Sequence, residues 1–149
     1  MPRIGLTAPA KNVKRRPDSN QRRLMIHLDT NFLIMSLVRG TPQDAQLRKW
    51  LAAGEAVGAD AVVWTEFLCG PLTQEQLDLA RIFLPQVEPF LSEDAARAAS
   101  LFNEAGRRRG SLTDCMIAAV SLRADAALAT SNVADFKPFE GSGLRLISI

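Results

Sequence analysis

Tyrosine is absent from this chain of 149 residues, histidine occurs once, cysteine twice, and aromatic residues together make up 6%. The missing tyrosine and thin aromatic content argue against the strand-borne stacking platform with which single-stranded RNA readers hold bases. Cys69 and Cys115 lie far apart and belong to no Cys-x-x-Cys or Cys/His cluster. That excludes a disulfide framework and a zinc site, and leaves two buried free thiols as the expectation. No apolar run approaches the length of a membrane span, and no basic-then-apolar N-terminal stretch ends at a small-residue cleavage site. A cytoplasmic protein without a membrane segment is expected. The length suffices for one sizeable core and is too short for two ordinary domains.

The formal charge of +2 hides an asymmetry. Residues 1–23 carry seven basic side chains (Arg3, Lys11, Lys14, Arg15, Arg16, Arg22, Arg23) against Asp18 alone, a balance of +6. Residues 24–149 then hold 11 basic and 15 acidic groups, a balance of −4. An evenly basic nucleic-acid-binding face does not produce that split, so the acids of the body need their own explanation. Pro2, Pro9 and Pro17, few large apolar residues and no periodicity make residues 1–23 a disordered arm in expectation. The arm is either a polybasic segment with phosphate affinity or an upstream extension of a frame whose working start is Met25. The second is the favoured reading.

From Leu24 onward, short apolar runs alternate with longer amphipathic stretches. Residues 24–28 read as a strand buried on both faces, ended by Asp29, with a helix from Phe32 to Val38. Thr41-Pro42-Gln43-Asp44 has the form of a capping box with proline at the first helical position, opening a helix that Gly54 stops. Residues 56–58 form a short strand, 61–69 a helix ended by Gly70-Pro71, and Thr73 caps a helix to Leu84. Ser92 begins the longest helix, with Ala95, Ala98, Ala99, Phe102 and Ala105 as its apolar stripe and Gly110 as its stop. Arg107, Arg108 and Arg109 then fall in its last turn, where cations suit the helix dipole and where RNA phosphates could also dock. Residues 112–122 give a further helix, 126–130 a strand and 144–148 a last strand. Strands separated by helices imply an α/β sandwich with a central, mainly parallel sheet of four or five strands flanked by helices. Such folds bind ligands beyond the carboxyl ends of the strands, which turns attention to Asp29 and to the loop after Thr130.

Four acids stand out. Asp29 follows the first strand, Asp135 follows the strand ending at Thr130, Asp114 opens a helix and Glu66 lies in an apolar one. Three have structural roles open to them: Asp29 as a helix cap, Asp114 as the fourth member of a capping box begun by Ser111, Asp135 as a turn residue. Glu66 is different, because Val62, Val63, Trp64, Phe67 and Leu68 leave it almost no polar face and no Lys or Arg stands within one turn. A carboxylate there needs a partner. If the four converge, their repulsion calls for a divalent cation, and oxygen-only ligands suit Mg²⁺ or Mn²⁺.

Four stretches now carry a resemblance: Leu28-Asp29-Thr30-Asn31-Phe32-Leu33-Ile34, Thr65-Glu66-Phe67-Leu68-Cys69-Gly70, Thr113-Asp114-Cys115-Met116-Ile117-Ala118-Ala119, and Ala129-Thr130-Ser131-Asn132-Val133-Ala134-Asp135-Phe136. In order and spacing across residues 24–149 they resemble the signatures of PIN domains, and more narrowly the VapC toxins of type II toxin–antitoxin pairs. The resemblance implies a PIN-like three-layer sandwich and a Mg²⁺-dependent endoribonuclease, with Mn²⁺ as the alternative ion. It assigns catalysis to Asp29, Glu66, Asp114 and Asp135, the most direct metal contacts to Asp29 and Asp114, and support by hydrogen bonds to Thr30, Asn31, Thr130 and Asn132. It implies an RNA substrate, an inhibitory antitoxin whose C-terminal segment presents Arg or Lys to the acids, and a homodimer. Such toxins start two to four residues before the first aspartate, which is the ground for preferring Met25 as the start.

Two readings compete. A haloacid-dehalogenase-type phosphatase also begins with an aspartate after its first strand, but wants a second acid at position 31, where this chain has Asn31. A catalytically inactive PIN-like scaffold for protein binding is the non-enzymatic alternative, against which the retention of all four acids argues. His27, two residues before Asp29, is more readily a sheet histidine satisfied by the backbone than a base. Cys115 turns away from the Asp114 direction into packing. Trp50 and Trp64 suit a core or a dimer contact.

Overall fold

The structure, a computed structural model, describes residues 23–149. The basic arm expected over residues 1–23 therefore lies, save Arg23, outside the described residues. Four short strands form one parallel sheet: β1 (Met25–Leu28), β2 (Ala56–Gly58), β3 (Ala127–Ala129) and β4 (Arg145–Ile147), in the order β2-β1-β3-β4. Ile26 pairs with Val57 on one side and Ala127 on the other. With a neighbour on each edge and helices over the faces, β1 buries Ile26, His27 and Leu28 in succession.

The helices follow their punctuation. Helix α1 (Thr30–Ser36) starts at Asp29, and α2 (Pro42–Ala52) starts at Thr41, whose hydroxyl accepts the Asp44 N–H. The return half of the expected capping box is not made to Thr41, because the Asp44 carboxylate takes the Gly40 N–H instead. Helix α3 (Ala61–Cys69) is capped by Asp60, and α4 (Gln74–Phe83) carries the reciprocal Thr73/Gln76 box. Phe32 of α1 stacks on Trp50 of α2 at 5.7 Å between ring centroids, and Trp64 leans on Phe67 at 5.2 Å, both within the core.

Helix α5 (Ser92–Glu104) departs from expectation at both ends. It stops at Glu104, not near Gly110, because Gly106 and Arg107 take left-handed φ of 83° and 56°. The three arginines thus lie in a link and not in the last helical turn. Its buried line is Asp94, Ala98 and Leu101, while Ala95 and Ala99 face solvent. Asp94 can take a core position because Arg123 grips it with Nε at 2.8 and 3.0 Å. Helix α6 (Leu112–Arg123), which packs along α5, is buried over Ile117–Ser121. Helix α7 (Val133–Phe136) and a 3₁₀ turn, Lys137–Ser142, lead to β4. No helix of the described residues is long and apolar enough to cross a membrane.

Topology places the site. From β1 the chain steps outward to β2, then crosses back beyond β1 to β3, so the direction of strand order reverses between β1 and β3. The crevice of an open parallel sheet opens at the carboxyl ends of that strand pair, where Asp29 and Thr130 stand.

Candidate active site

Asp29 leaves β1 in extended conformation (φ −75°, ψ 171°) and caps α1 by accepting the Phe32 N–H at 2.8 Å on Oδ1. The Thr130 hydroxyl donates to its other oxygen, Oδ2, and the Asn132 N–H donates to the Thr130 oxygen at 2.9 Å. The capping role foreseen for Asp29 is therefore real, and it also fixes the carboxylate at the crevice. Asp29 is 3% exposed. Burial raises its proton affinity against the two hydrogen bonds, and the charges of Glu66 and Asp135 raise it further.

Glu66 stands otherwise than its neighbours suggested. It is exposed, not sunk in an apolar helix, because Thr65, Glu66, Leu68 and Cys69 share the open side of α3. Its partner is the Thr30 hydroxyl, which donates to Oε1 at 2.7 Å. The same exposure corrects the expectation for Cys69, an exposed thiol, while Cys115 is buried as expected.

Asp114 lies in the first turn of α6 but closes no capping box, since the Ser111 hydroxyl donates to the Arg108 carbonyl at 2.7 Å and caps nothing. Burial pushes the Asp114 carboxyl up to about 6, the charges of Asp135 and Glu66 adding to it and Arg108 opposing. Asp135, in the first turn of α7, pairs with Arg108 Nη2 at 3.0 Å.

Asp29, Glu66 and Asp114 line one cavity of about 110 Å³ together with Thr30, Asn31 and Asn132. Asp135 stands outside its lining, turned to Arg108, though its charge reaches Asp29 and Asp114. Among the described residues no three His, Cys, Asp or Glu side chains stand close enough to grip an ion as they are placed. The chemistry of the set nevertheless fits a hard divalent cation. Its donors are carboxylate and amide oxygens, and the charges of Glu66 and Asp135 raise the proton affinity of both Asp29 and Asp114, on top of burial. Asp29, held by two hydrogen bonds, and Asp114, half-buried at the start of α6, both have an edge on the cavity.

Arg108 is the contact that sequence reading missed at this site; its charge pattern was visible, its partner 27 residues away was not. His27 is 2% exposed and its Nδ1 has no hydrogen-bond partner, contrary to the expected backbone bond. Burial lowers its imidazole to about 4, with Glu88 opposing and Arg123 adding. It is neutral at physiological pH and does not line the cavity.

The family pattern of the PIN domain matches residues 26–138. Among solved structures, VapBC2 from Rickettsia felis bound to a DNA fragment from their promoter superposes with a TM-score of 0.70 at 20% identity, covering 85% of this chain and 99% of that one. DNA-bound VapBC from Salmonella typhimurium gives 0.67 at 19% identity, covering 84% and 98%. FitAcB from Neisseria gonorrhoeae gives 0.62 at 22% identity, covering 83% and 97%. At these identities the likeness is one of fold. No curated protein matches the chain.

Proposed function

This chain belongs to the PIN domain family, and on that premise we propose that it is a VapC-type toxin of a type II toxin–antitoxin pair, a Mg²⁺-dependent endoribonuclease. The observation that carries the reading is the shared cavity of Asp29, Glu66 and Asp114 at the strand-order reversal, with the charge of Asp135 reaching it from outside the lining. Asp29 and Asp114 would hold Mg²⁺, or Mn²⁺ in its place, and Glu66 and Asp135 would complete the site through water or a second ion. When bound, the ion supplies positive charge against the charge that develops on the phosphodiester as its bond to the leaving oxygen breaks.

The protein's own part is placement and proton handling. Asp29 cannot swing, being tied through Phe32 N–H and Thr130 Oγ1, so one carboxylate edge is fixed relative to the scissile phosphate. The Thr30 hydroxyl holds Glu66 where it can accept a proton from, and orient, the attacking water. Water attacks phosphorus in line with the departing 3′-oxygen, so the products carry a 5′-phosphate and a 3′-hydroxyl. Neutralising the negative crevice is also the natural route to inhibition. An antitoxin presenting Arg or Lys across it fits the −4 balance of residues 24–149. The PIN-fold relatives whose structures are solved as toxin–antitoxin complexes support that partner, and a homodimer working in the cytoplasm completes the reading.

The test is cleavage of a structured RNA pool by the purified full-length chain, with Mg²⁺, with EDTA, and with Asp29→Asn. Metal-dependent cuts bearing 5′-phosphates, lost in Asp29→Asn, support the nuclease. A 2′,3′-cyclic phosphate product counts against the metal route, and no cleavage with any metal favours the catalytically inactive protein-binding scaffold.

A further inference from the structure

Among the described residues, one cation contacts the four candidate acids: Arg108, whose Nη2 lies 3.0 Å from Asp135 Oδ1. Its surroundings separate a fixed backbone from a free side chain. Both the N–H and the hydroxyl of Ser111 donate to the Arg108 carbonyl, at 3.1 and 2.7 Å, which ties its main chain to the start of the helix that bears Asp114. Left-handed residues on both sides, Gly106 and Arg107 before it and Gly110 after it, hold the link in a tight turn. The side chain itself is 60% exposed. Of its neighbours, Arg107 is engaged elsewhere, its guanidinium over the Phe102 ring at 5.5 Å and donating to Asn103 at 2.6 Å.

An exposed Arg–Asp pair is weak and easily broken. A divalent ion beside Asp29 and Asp114 would lower the attraction of Asp135 for Arg108 and repel the guanidinium, while an RNA phosphate arriving at the crevice offers a better-matched bidentate acceptor. We propose that Arg108 is a transferable phosphate clamp: it rests on Asp135, competes there with the divalent ion, and passes to a phosphate of the RNA strand once the ion is bound. This rests on the metal-dependent nuclease reading and adds to it a substrate-binding residue with a defined resting partner.

The test uses the full-length chain and two binding readouts besides activity. Mn²⁺ affinity is measured by electron paramagnetic resonance, and affinity for a fluorescein-labelled single-stranded RNA by anisotropy in Ca²⁺, for wild type, Arg108→Ala and Arg108→Lys. Arg108→Ala should bind Mn²⁺ about two- to fivefold more tightly and the RNA about tenfold more weakly. Arg108→Lys should keep wild-type Mn²⁺ affinity and recover part of the RNA affinity. A residue that merely braced the link would not tighten ion binding when removed. Unchanged or weaker Mn²⁺ binding in Arg108→Ala, or unchanged RNA binding, overturns the clamp while leaving the nuclease reading standing. A wild-type chain that neither binds Mn²⁺ nor cuts RNA in Mg²⁺ overturns both.

Discussion

Thr130 donates its hydroxyl hydrogen to Asp29 across 101 residues of sequence, joining the end of β3 to the end of β1. With the Asp29 N–H to Ala129 carbonyl bond at 3.1 Å and the Phe32 N–H on Oδ1, it fixes the most buried of the candidate acids at the strand ends. It also separates folding from chemistry in a variant. Asn at position 29 keeps an oxygen for the Phe32 N–H but turns an NH2 toward the Thr130 hydroxyl, which loses its acceptor, so Asp29→Asn should lose about 1–3 kcal/mol of stability. Removing the charge should lower Mg²⁺-dependent RNA cleavage by about a hundredfold or more. Urea unfolding beside single-turnover cleavage checks both, and a variant that unfolds as wild type and still cuts would remove Asp29 from the machinery.

Thr30 and Glu66 form the second such pair. Thr30→Val deletes the hydroxyl and keeps the shape, so the exposed Glu66 loses its tether while α1 keeps its Asp29 cap. Cleavage should fall about three- to tenfold, with stability within about 0.5 kcal/mol of wild type. Thr30→Ser should restore the rate. Equal rates in all three proteins would show that Glu66 needs no positioning from Thr30.

Local chemistry is what the sequence exposes well here. A carboxylate after an apolar run and another at a helix start are legible because strand ends and helix starts leave marks within four residues, and Asp29 and Asp114 stand where those marks put them. Glu66 was singled out for a burial it does not have: nine residues cannot tell which side of a short helix the sheet leaves open. The link after α5 differs from expectation because Gly106 and Gly110 both take positive φ, and the earlier of the two already ends the helix. Distant pairings are legible only where the motifs mark them, as for Thr130 with Asp29 and Thr30 with Glu66. Asp94, outside the expected stripe of α5, joins Ala98 and Leu101 on the buried line because Arg123, 29 residues on, holds it.

That pairing makes a stability prediction. Arg123 donates to Asp94, to Glu88 Oε1 at 2.8 Å and to the Pro89 carbonyl at 2.8 Å, joining the end of α6 to the start of α5 and the segment before it. Asp94 is 1% exposed, so Arg123→Ala leaves a buried charge without its counter-ion and should destabilise the chain by about 3–5 kcal/mol. Arg123→Lys keeps the charge, but its single nitrogen cannot span the acceptors that Nε, Nη1 and Nη2 reach separately, and it should fall between. Adding Asp94→Asn to Arg123→Ala should recover part of the loss. Denaturant midpoints measure all four, and an Arg123→Ala chain as stable as wild type would show the network to be idle.

Asp60 adds a pH dependence of determinate sign. It is fully buried, caps α3 through Val63 N–H at 2.8 Å and leaves Oδ2 without a partner. Burial pushes its carboxyl up to about 7 against the hydrogen bonds of Val63 and Val62, and the charges of Glu66 on its own helix and Asp94 on α5 push the same way. Glu88, bridged to Asp60 through the backbone, shares Arg123 with Asp94, so that cation is already committed. In the unfolded chain the proton leaves near the ordinary value of 3.8. Between 3.8 and about 7 the folded chain holds the extra proton, so this group's contribution to stability is full below that window and declines as pH rises through it. Serine also caps a helix but does not titrate. The stability of Asp60→Ser relative to wild type should therefore climb between pH 4 and pH 8, by at most about 4 kcal/mol. Taking the difference cancels the titrating groups that do not sense Asp60, leaving Asp60 and its coupling to Glu66 and Asp94. Urea unfolding at four pH values decides it: parallel curves would mean that Asp60 holds its proton no more tightly in the folded chain than in the unfolded one.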